Sequence, residues 1–123
     1  MITAVHTLIY SDDAVATRNF MRDVVGWPSV DTGGGWLIFA TGPSEMGVHP
    51  TAHGEWSTSQ KHEISLLCDD IEATVADLQS KGATFSNQIE DLEFGYAINL
   101  QVPGGAPDIM IYQPKYDPPA LTL

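Results

Sequence analysis

Hydrophobic and polar positions follow one plan in two parts of the chain. In each part a short apolar strand leads through an acidic turn into a helix with one apolar side. The strands are predicted at residues 4–10 and 63–68, and Asp69 lies 57 residues after its counterpart Asp12. This repetition predicts one βα unit, extended by further strands, that is used twice.

Acidic residues and glycines mark the ends of the two predicted helices. Asp12 or Asp13 caps the first helix, and Gly26 ends it. The second helix is predicted at about residues 70–81, with Gly82 after it. The apolar sides of the helices are formed by Phe20, Met21, Val24 and Val25 in the first and by Ile71, Val75 and Leu78 in the second.

Turn signals divide the rest of the chain into short strands. These strands are predicted at residues 29–31, 36–40 and 45–49 in the first part, with a glycine turn at 33–35, and at 84–89, 96–102 and 108–112 in the second. Residues 50–61 are polar and rich in turn formers, which is typical of a linker. The sequence therefore predicts a single domain, residues 1–123, built from two βαβββ units at about 3–49 and 62–114.

The charge and the cysteine content of the chain limit which binding partners and which cellular compartment are expected. Sixteen acidic and five basic side chains give a net charge of −11, which argues against nucleic acid because phosphate binding needs clustered Lys and Arg. The charge favours a neutral or cationic small ligand. No stretch approaches the roughly 20 apolar residues of a membrane span, and a single cysteine, Cys68, fits a reducing compartment. We therefore expect a cytoplasmic protein with no nucleic-acid or membrane partner.

The two units carry the features of a known family. Each helix opens on two aspartates, and the chain closes on Val-Pro-Gly-Gly at residues 102–105 and Ile-Tyr-Gln-Pro at 111–114. Over residues 3–114 the sequence resembles the vicinal oxygen chelate superfamily, which includes glyoxalase I, extradiol dioxygenases and bleomycin-resistance proteins. The resemblance implies an α+β fold of two half-barrel sheets with helices on the outside, and a homodimer.

Metal-using members of that superfamily place one ligand on the first and one on the last strand of each unit. In this chain the resemblance puts those positions at His6, Gly47, Glu63 and Met110. Glycine offers no side chain, and a thioether is a poor ligand for the hard or borderline cations that the family uses. We therefore expect no metal, and no other cofactor, at the usual four-ligand site.

A displaced metal site is the alternative. His49 lies two residues after Gly47, and Asp108 lies two residues before Met110, so each shares a face with the position it would replace. His6, His49 and Glu63, with or without Asp108, would then suit a divalent metal. Without a metal, the same side chains would be hydrogen-bonded polar groups of a cavity.

Aromatic side chains supply the apolar part of the predicted site. Phe94 and Trp56 lie in polar loops next to glycine, where an aromatic group typically forms a lid, a stacking wall or a contact with a partner subunit. Trp36 opens a predicted strand. The predicted ligand-binding residues are His6, Trp36, His49, Glu63, Phe94 and Met110.

Two functions fit these predictions. The first is a binding protein similar to the bleomycin-resistance proteins, an antibiotic-resistance role in which an aromatic, neutral or cationic drug or metabolite is sequestered without a catalytic metal. The second is a metal-dependent lyase, isomerase or dioxygenase that uses the displaced site. The sequence has no Gly-x-Ser-x-Gly, Cys-x-x-Cys or His-Glu-x-x-His motif. Whether the protein is an enzyme, and what its ligand is, stays open at this level.

Overall fold

The computed structural model describes residues 1–25, 27–42, 44–101 and 108–119 of the chain. Its contacts divide it into two compact units, which are described separately. The first unit comprises His6–Glu63 with the residues from Pro118 onward, and the second comprises Met1–Val5 and Ile64–Asp117. In the part of the chain that the structure describes, each unit combines a mixed sheet with an α-helix, which confirms the predicted α+β class. The unit boundaries at residues 49 and 62 stay a prediction.

The first unit contains a four-stranded sheet with the strand order β2-β3-β4-β1. β1 and β4 are parallel, and the other neighbours are antiparallel. The elements are β1 (Ile2–Ser11, from His6 onward in this unit), α1 (Ala14–Phe20) with a π-helical turn (Met21–Val25), β2 (Ser29–Asp31), β3 (Leu37–Ala40), β4 (Glu45–Pro50), β5 (Ala52–His53) and β6 (Trp56–Ser57).

The helix of the first unit covers one face of its sheet. Asp13 caps α1, because its side chain accepts a hydrogen bond from the Ala16 N–H at 3.0 Å. From this helix Ala14 packs into an apolar cluster with strand residues that alternate along the sheet. The cluster consists of Ala14, Phe39, Met46 and Val48, with Ile9, Met21, Trp27 and Leu37 against it. The intervening residues of β1 and β4 therefore lie on the opposite face, away from the helix.

The second unit repeats this topology with the strand order β7-β10-β9-β8. β7 and β10 are parallel, whereas β9 is antiparallel to both of its neighbours. The elements are β7 (His62–Cys68, from Ile64 onward in this unit), α2 (Ile71–Ser80), β8 (Glu90–Asp91), β9 (Gly95–Leu100) and β10 (Ile109–Pro114).

The predicted second helix is confirmed together with both of its ends. The Asp70 side chain caps α2 by accepting a hydrogen bond from the Ala73 N–H at 3.0 Å, and Gly82 adopts a φ of 93° beyond its last turn. The helix-facing core of this unit consists of Cys68, Ile71, Ile98 and Ile111, with Leu66, Val75, Leu78, Phe85 and Leu100 against it. Cys68 is therefore a small buried core residue.

One of the predictions about local structure is wrong. The strand predicted at residues 84–89 is reduced to a single bridge between Phe85 and Leu100, and the strand that pairs with β9 is β8. The reason is Asn87, whose side-chain oxygen accepts the Asn99 N–H at 2.8 Å and so takes the place of a backbone partner. The segment predicted as a linker, residues 50–61, contains the β5–β6 hairpin.

Some sequence-based predictions concern residues outside the described ranges. These are the helix stop at Gly26, the last strand residue Val102, the remainder of the Val-Pro-Gly-Gly motif, and the side chains of Phe20, Val24 and Val25. Within the described ranges, no helix is long and apolar enough to cross a membrane.

Candidate ligand-binding site

The parallel pairing of β1 and β4 brings polar side chains together on the face of the first unit that lies away from α1. In this register His6 is opposite Glu45, and Tyr10 is opposite His49. Gly47 lies between Glu45 and His49 on β4 and is opposite Leu8. Side chains at alternate positions of these two strands point to the same face, so the pairs His6–Glu45 and Tyr10–His49 form one row, with Leu8 and Gly47 between them.

His6 and Glu45 form a buried hydrogen-bonded pair at one end of this row. His6 Nδ1 and Glu45 Oε2 form a short hydrogen bond, and the two residues are 4% and 0% exposed. Removing an imidazole and a carboxylate from water is costly, and it is tolerated in proteins where the two groups satisfy each other. The pair also fixes the orientation of the imidazole ring, because Nδ1 is committed to the carboxylate.

Gly47 is packed against that imidazole ring. A Cβ atom added at Gly47 would lie 3.2 Å from His6 Nε2 and 3.0 Å from Leu8 Cδ2, which is tighter than ordinary van der Waals contact. The position at which metal-using relatives carry a ligand therefore has no side chain and little room for one. The residues present do not fit the four-ligand metal centre that the resemblance implies.

Five rings form an aromatic cluster at the other end of the row. Trp36 contacts His49 and His53 edge to face, with ring centroids 5.1 Å and 5.7 Å away. Tyr10 contacts His49 edge to face at 6.0 Å and lies 5.8 Å from Trp56 with an interplanar angle of 35°. These spacings are typical of favourable aromatic pairs. Trp56 and His53 are exposed, so the cluster is open to solvent on one side.

His49 enters this cluster as an uncharged ring. Burial, together with the electrostatic effect of the nearby His6 and Arg18 side chains, lowers the pKa of His49 to about 4. At neutral pH the imidazole therefore has one donor and one acceptor nitrogen, and it behaves as a polar aromatic wall.

Arg18 fixes the base of the aromatic cluster. It is 6% exposed, and its Nε and Nη2 atoms donate to the Val48 carbonyl oxygen at 3.0 Å and 2.8 Å. Its Cζ atom lies 4.6 Å from the centroid of the Trp36 ring, within the range of a cation–π interaction. Burial lowers the pKa of Arg18, and the nearby Asp31 carboxylate opposes this shift. The guanidinium thus ties Trp36 to the end of β4.

Glu63 lies next to the Tyr10 side of the cluster. Burial raises the pKa of Tyr10, and the negative charge of Glu63 raises it further. The phenol is therefore neutral at physiological pH and has a carboxylate beside it.

The remaining predicted residues belong to the second unit. Phe94 is 41% exposed and packs edge to face on Tyr112 at 5.1 Å, and the Tyr112 hydroxyl is hydrogen-bonded to that of Tyr116 at 2.6 Å. Met110 is partly buried against an apolar cluster that includes Leu67 and Tyr112. The thioether of Met110 is thus part of a hydrophobic core.

The structure brings four of the predicted residues into one chain of neighbours. Trp36 contacts His49, His49 contacts Tyr10, and Tyr10 lies beside Glu63, while His6 lies on the same face of β1 as Tyr10. Among the described residues, no group of three or more His, Cys, Asp or Glu side chains is placed to hold a metal ion. His6, His49 and Glu63 are therefore not arranged as the displaced three-ligand set, and Asp108 is exposed.

Sequence reasoning missed three important residues of this site. Glu45 had a usable signal, because it precedes Gly47 by two residues and so shares a face with Gly47 and His49. Tyr10 lies four residues after His6, so strand alternation places both on one face, but no pattern in the sequence indicates its contact with His49. Arg18 had no such signal, because its contact with Trp36 depends on how the helix packs against the sheet.

The sequence and the fold both identify the family. The profile of the Glyoxalase/Bleomycin resistance protein/Dioxygenase superfamily matches residues 3–105. The chain therefore belongs to this superfamily, which confirms the resemblance seen in the sequence. No curated protein sequence matches the chain.

Solved structures with the same fold share little sequence with the chain. A superfamily member from Vibrio splendidus 12B01 has a TM-score of 0.56 at 13% identity, covering 92% of this chain and 99% of its own. Methylmalonyl-CoA epimerase from Mycobacterium tuberculosis has a TM-score of 0.63 at 12% identity, with 99% and 91% covered. A structure of NAD-dependent benzaldehyde dehydrogenase from Legionella pneumophila has a TM-score of 0.64 at 13% identity, with 90% and 99% covered. At these identities the likeness concerns the fold alone.

Proposed function

We propose that the protein binds a small aromatic molecule, neutral or cationic, at the aromatic cluster of the first unit and sequesters it without changing it chemically. The observation that carries this proposal is the set of ring contacts in the aromatic cluster, in which Trp36 meets His49 and His53, and Tyr10 meets His49 and Trp56. Half-open groups of aromatic side chains with a few fixed polar groups are typical of small-molecule sites.

The charges around the cluster support a neutral or cationic ligand. Glu63 places a carboxylate beside Tyr10, whereas the guanidinium of Arg18 is already engaged by the Val48 carbonyl and the Trp36 ring. The net charge of −11 acts against an anion at long range. His49 is uncharged at neutral pH and adds no repulsion to a cation.

The residues at the family's metal-ligand positions favour sequestration over metal-assisted chemistry. The family's ligand positions at Gly47 and Met110 are respectively packed against His6 and embedded in an apolar cluster. Phe94 and Met110, in the second unit, stay sequence-based predictions for ligand contact. The family precedent for sequestration is antibiotic resistance, and a drug or a metabolite would both meet these requirements.

Calorimetric titration with three naphthalene probes tests the proposal. The probes are 2-naphthol, 2-naphthylmethylamine and 2-naphthoate, which share one ring system and are neutral, cationic and anionic at pH 7. We expect the first two to bind and the anion to bind more weakly. Trp36→Ala should weaken 2-naphthol roughly tenfold, whereas Trp27→Phe, in the helix-facing core, should not.

A charge-specific variant gives the second half of this test. Glu63→Gln should weaken the amine by about 1–3 kcal/mol and leave 2-naphthol unchanged. Glu72→Gln, on the exposed side of α2, is the matched control for net charge. Mass spectrometry of the recovered probe should show no modification. Tight binding of the anion, or no binding of any probe, would refute the proposal.

We also propose that the protein is a homodimer, as the superfamily resemblance implies. Among the described residues, β2 pairs only with β3 and β8 only with β9, so each unit presents a strand edge that an assembly would cover. Light scattering after gel filtration at tens of micromolar should give twice the mass of 13.3 kDa. A mass of one chain would contradict this assignment.

A further inference from the structure

The hairpin formed by β5 and β6 is separate from the main strands of the first unit. Its residues Ala52–His53 and Trp56–Ser57 form a two-stranded sheet of their own. Gly54 has a φ of 62° in the two-residue turn, and Glu55 does not share the positive φ, which fits a tight hairpin turn opened by glycine. An isolated two-stranded hairpin is marginally stable in water. Its position therefore depends on contacts with the rest of the unit.

The base of the hairpin is anchored by backbone and side-chain hydrogen bonds. The Thr51 N–H donates to the Ser11 carbonyl at 3.1 Å, and Thr51 Oγ1 donates to Asp12 Oδ1 at 2.6 Å. The Thr58 N–H donates to the Thr51 carbonyl at 2.9 Å and closes the hairpin. These bonds all lie at one end of the hairpin.

The far end of the hairpin touches the aromatic cluster through side chains. His53 and Trp56 are paired across the two strands, so they lie side by side on one face. His53 packs against Trp36, and Trp56 packs against Tyr10. All residues of β5 and β6 are exposed, and Trp56 keeps 45% of its surface open to solvent. The hairpin is thus hinged at its base and held at its tip by two ring contacts.

The spacing of Trp56 and Tyr10 is close to that of a slot for one aromatic ring. A planar ring sandwiched between two others needs them roughly 7–8 Å apart, because each stacked contact takes about 3.5–4 Å. The two centroids are 5.8 Å apart, and their planes differ by 35°. An outward movement of the hairpin by roughly 1–2 Å would therefore admit a flat ligand and return both ring faces to contact.

We propose that the β5–β6 hairpin is the selective wall of the ligand site, with Trp56 as a specificity-determining residue that clamps a planar, uncharged or cationic ring against Tyr10. This inference rests on the proposed function and names the element that gives it selectivity. Only a flat ligand is thin enough to enter without displacing the anchored base of the hairpin. The fused ring system of a drug or metabolite is the chemical class that fits.

A pair of probes with one carbon skeleton tests the clamp. Planar 2-naphthol should bind the wild-type protein at least tenfold more tightly than its saturated, non-planar form, 2-decalol. Trp56→Ala should remove most of that ratio by weakening 2-naphthol, and Trp56→Phe should restore it. Ser57→Ala, on the neighbouring residue of the same strand, should leave the ratio unchanged. A purely structural role for Trp56 would change both affinities together.

The anchored base predicts a kinetic effect in the same experiment. Thr51→Val removes the hydroxyl that donates to Asp12, so the hairpin should open more easily and 2-naphthol should dissociate several-fold faster. If 2-naphthol binds to wild type and to Trp56→Ala equally, the clamp is wrong while the proposed function stands. If neither probe binds to wild type, the proposed function and the clamp fail together.

Discussion

The two units share a strand order but differ in what they place on the sheet face away from the helix. In the first unit the parallel pair of strands places Tyr10 opposite His49, whereas the second unit places Leu67 opposite Tyr112 at the matching register. The first face carries a buried acid–base pair and the aromatic cluster, and the second is an apolar core around Leu67. Among the described residues, the buried histidine, arginine and carboxylate side chains, His6, Arg18 and Glu45, all belong to the first unit.

This difference shows that a repeated topology does not require repeated chemistry. The alternation of strand residues fixes which positions face away from the helix in both units. It leaves the identity of those residues open, so one unit can keep an apolar face while the other accumulates polar groups. Buried polar groups lower stability unless each finds a partner, and concentrating them in one unit confines that cost to the candidate site.

The largest expected effect comes from removing the carboxylate of the buried His6–Glu45 pair in the first unit. Glu45→Ala should lower the free energy of unfolding by about 3–5 kcal/mol, because it leaves the buried His6 imidazole without its carboxylate. The matched change in the second unit is Ser65→Ala, also buried, which should cost about 1 kcal/mol. Equilibrium unfolding in urea measures both. Equal losses for the two variants would show that the pair is not energetically special.

The pH dependence of the free energy of unfolding should also reveal a contribution from His49 of the first unit. The folded pKa of His49 is about 4, below the ordinary value of 6.5, so between these values the unfolded chain binds a proton that the folded chain does not. The stability contributed by neutral His49 is complete above pH 6.5 and is lost as the pH falls towards 4, by up to about 3 kcal/mol.

Two aromatic substitutions isolate that contribution. His49→Phe should flatten the loss of stability between pH 6.5 and 4, measured by urea unfolding at several pH values. Tyr112→Phe, at the matching position of the second unit, should leave the slope as in wild type. An unchanged slope in His49→Phe would mean that carboxylates alone cause the acid sensitivity.

Gly47 in the first unit and Gly95 in the second allow the tightness of packing in the two units to be compared. A Cβ atom at Gly95 would lie 2.5 Å from the Gln113 carbonyl oxygen, a main-chain atom, whereas a Cβ at Gly47 would meet side-chain atoms at 3.0 Å and 3.2 Å. Gly95→Ala should therefore cost about 2–3 kcal/mol and Gly47→Ala about 1 kcal/mol. Thermal unfolding of both variants gives the order, and the reverse order would contradict this packing.

The smallest expected effect concerns Asn87, which lies in the segment of the second unit that was predicted to be a strand at residues 84–89. Asn87→Ala removes the acceptor of the Asn99 N–H and should cost about 1 kcal/mol. Hydrogen exchange of the Asn99 amide should become faster, while the amides of β4 in the first unit should not change. Unchanged exchange at Asn99 would show that a water molecule or a backbone group replaces the side chain.

The elements that local patterns determine were predictable from the sequence. Asp13, Asp70 and Gly82 define helix ends through interactions within a few residues, and the structure has them as predicted. The failure at residues 84–89 has a long-range cause, because Asn87 meets its partner Asn99 across the sheet. The β5–β6 hairpin was missed because its turn residues also suit a linker.

The candidate site was predictable to a smaller extent. Strand alternation places Glu45 and His49 on one face of their strand, although Glu45 was not considered, and the pairing register of β1 with β4 is needed to bring His6 to that face. The contact of Arg18 with Trp36 joins a helix to the start of a strand, and no spacing in the sequence encodes it. Whether Phe94 and Met110 contact the ligand stays a prediction.

The tight packing around Gly47 has an evolutionary consequence. A single nucleotide change can convert a glycine codon into a glutamate codon, but the new side chain would require His6 and Leu8 to shift by a few tenths of an ångström. A descendant of this protein would therefore have to displace the imidazole as it acquired a ligand at this position. Because that imidazole is held by Glu45, the first mutation on such a path would be harmful by itself. Natural selection would therefore tend to preserve the present arrangement of this strand pair, even in lineages where the ligand changes.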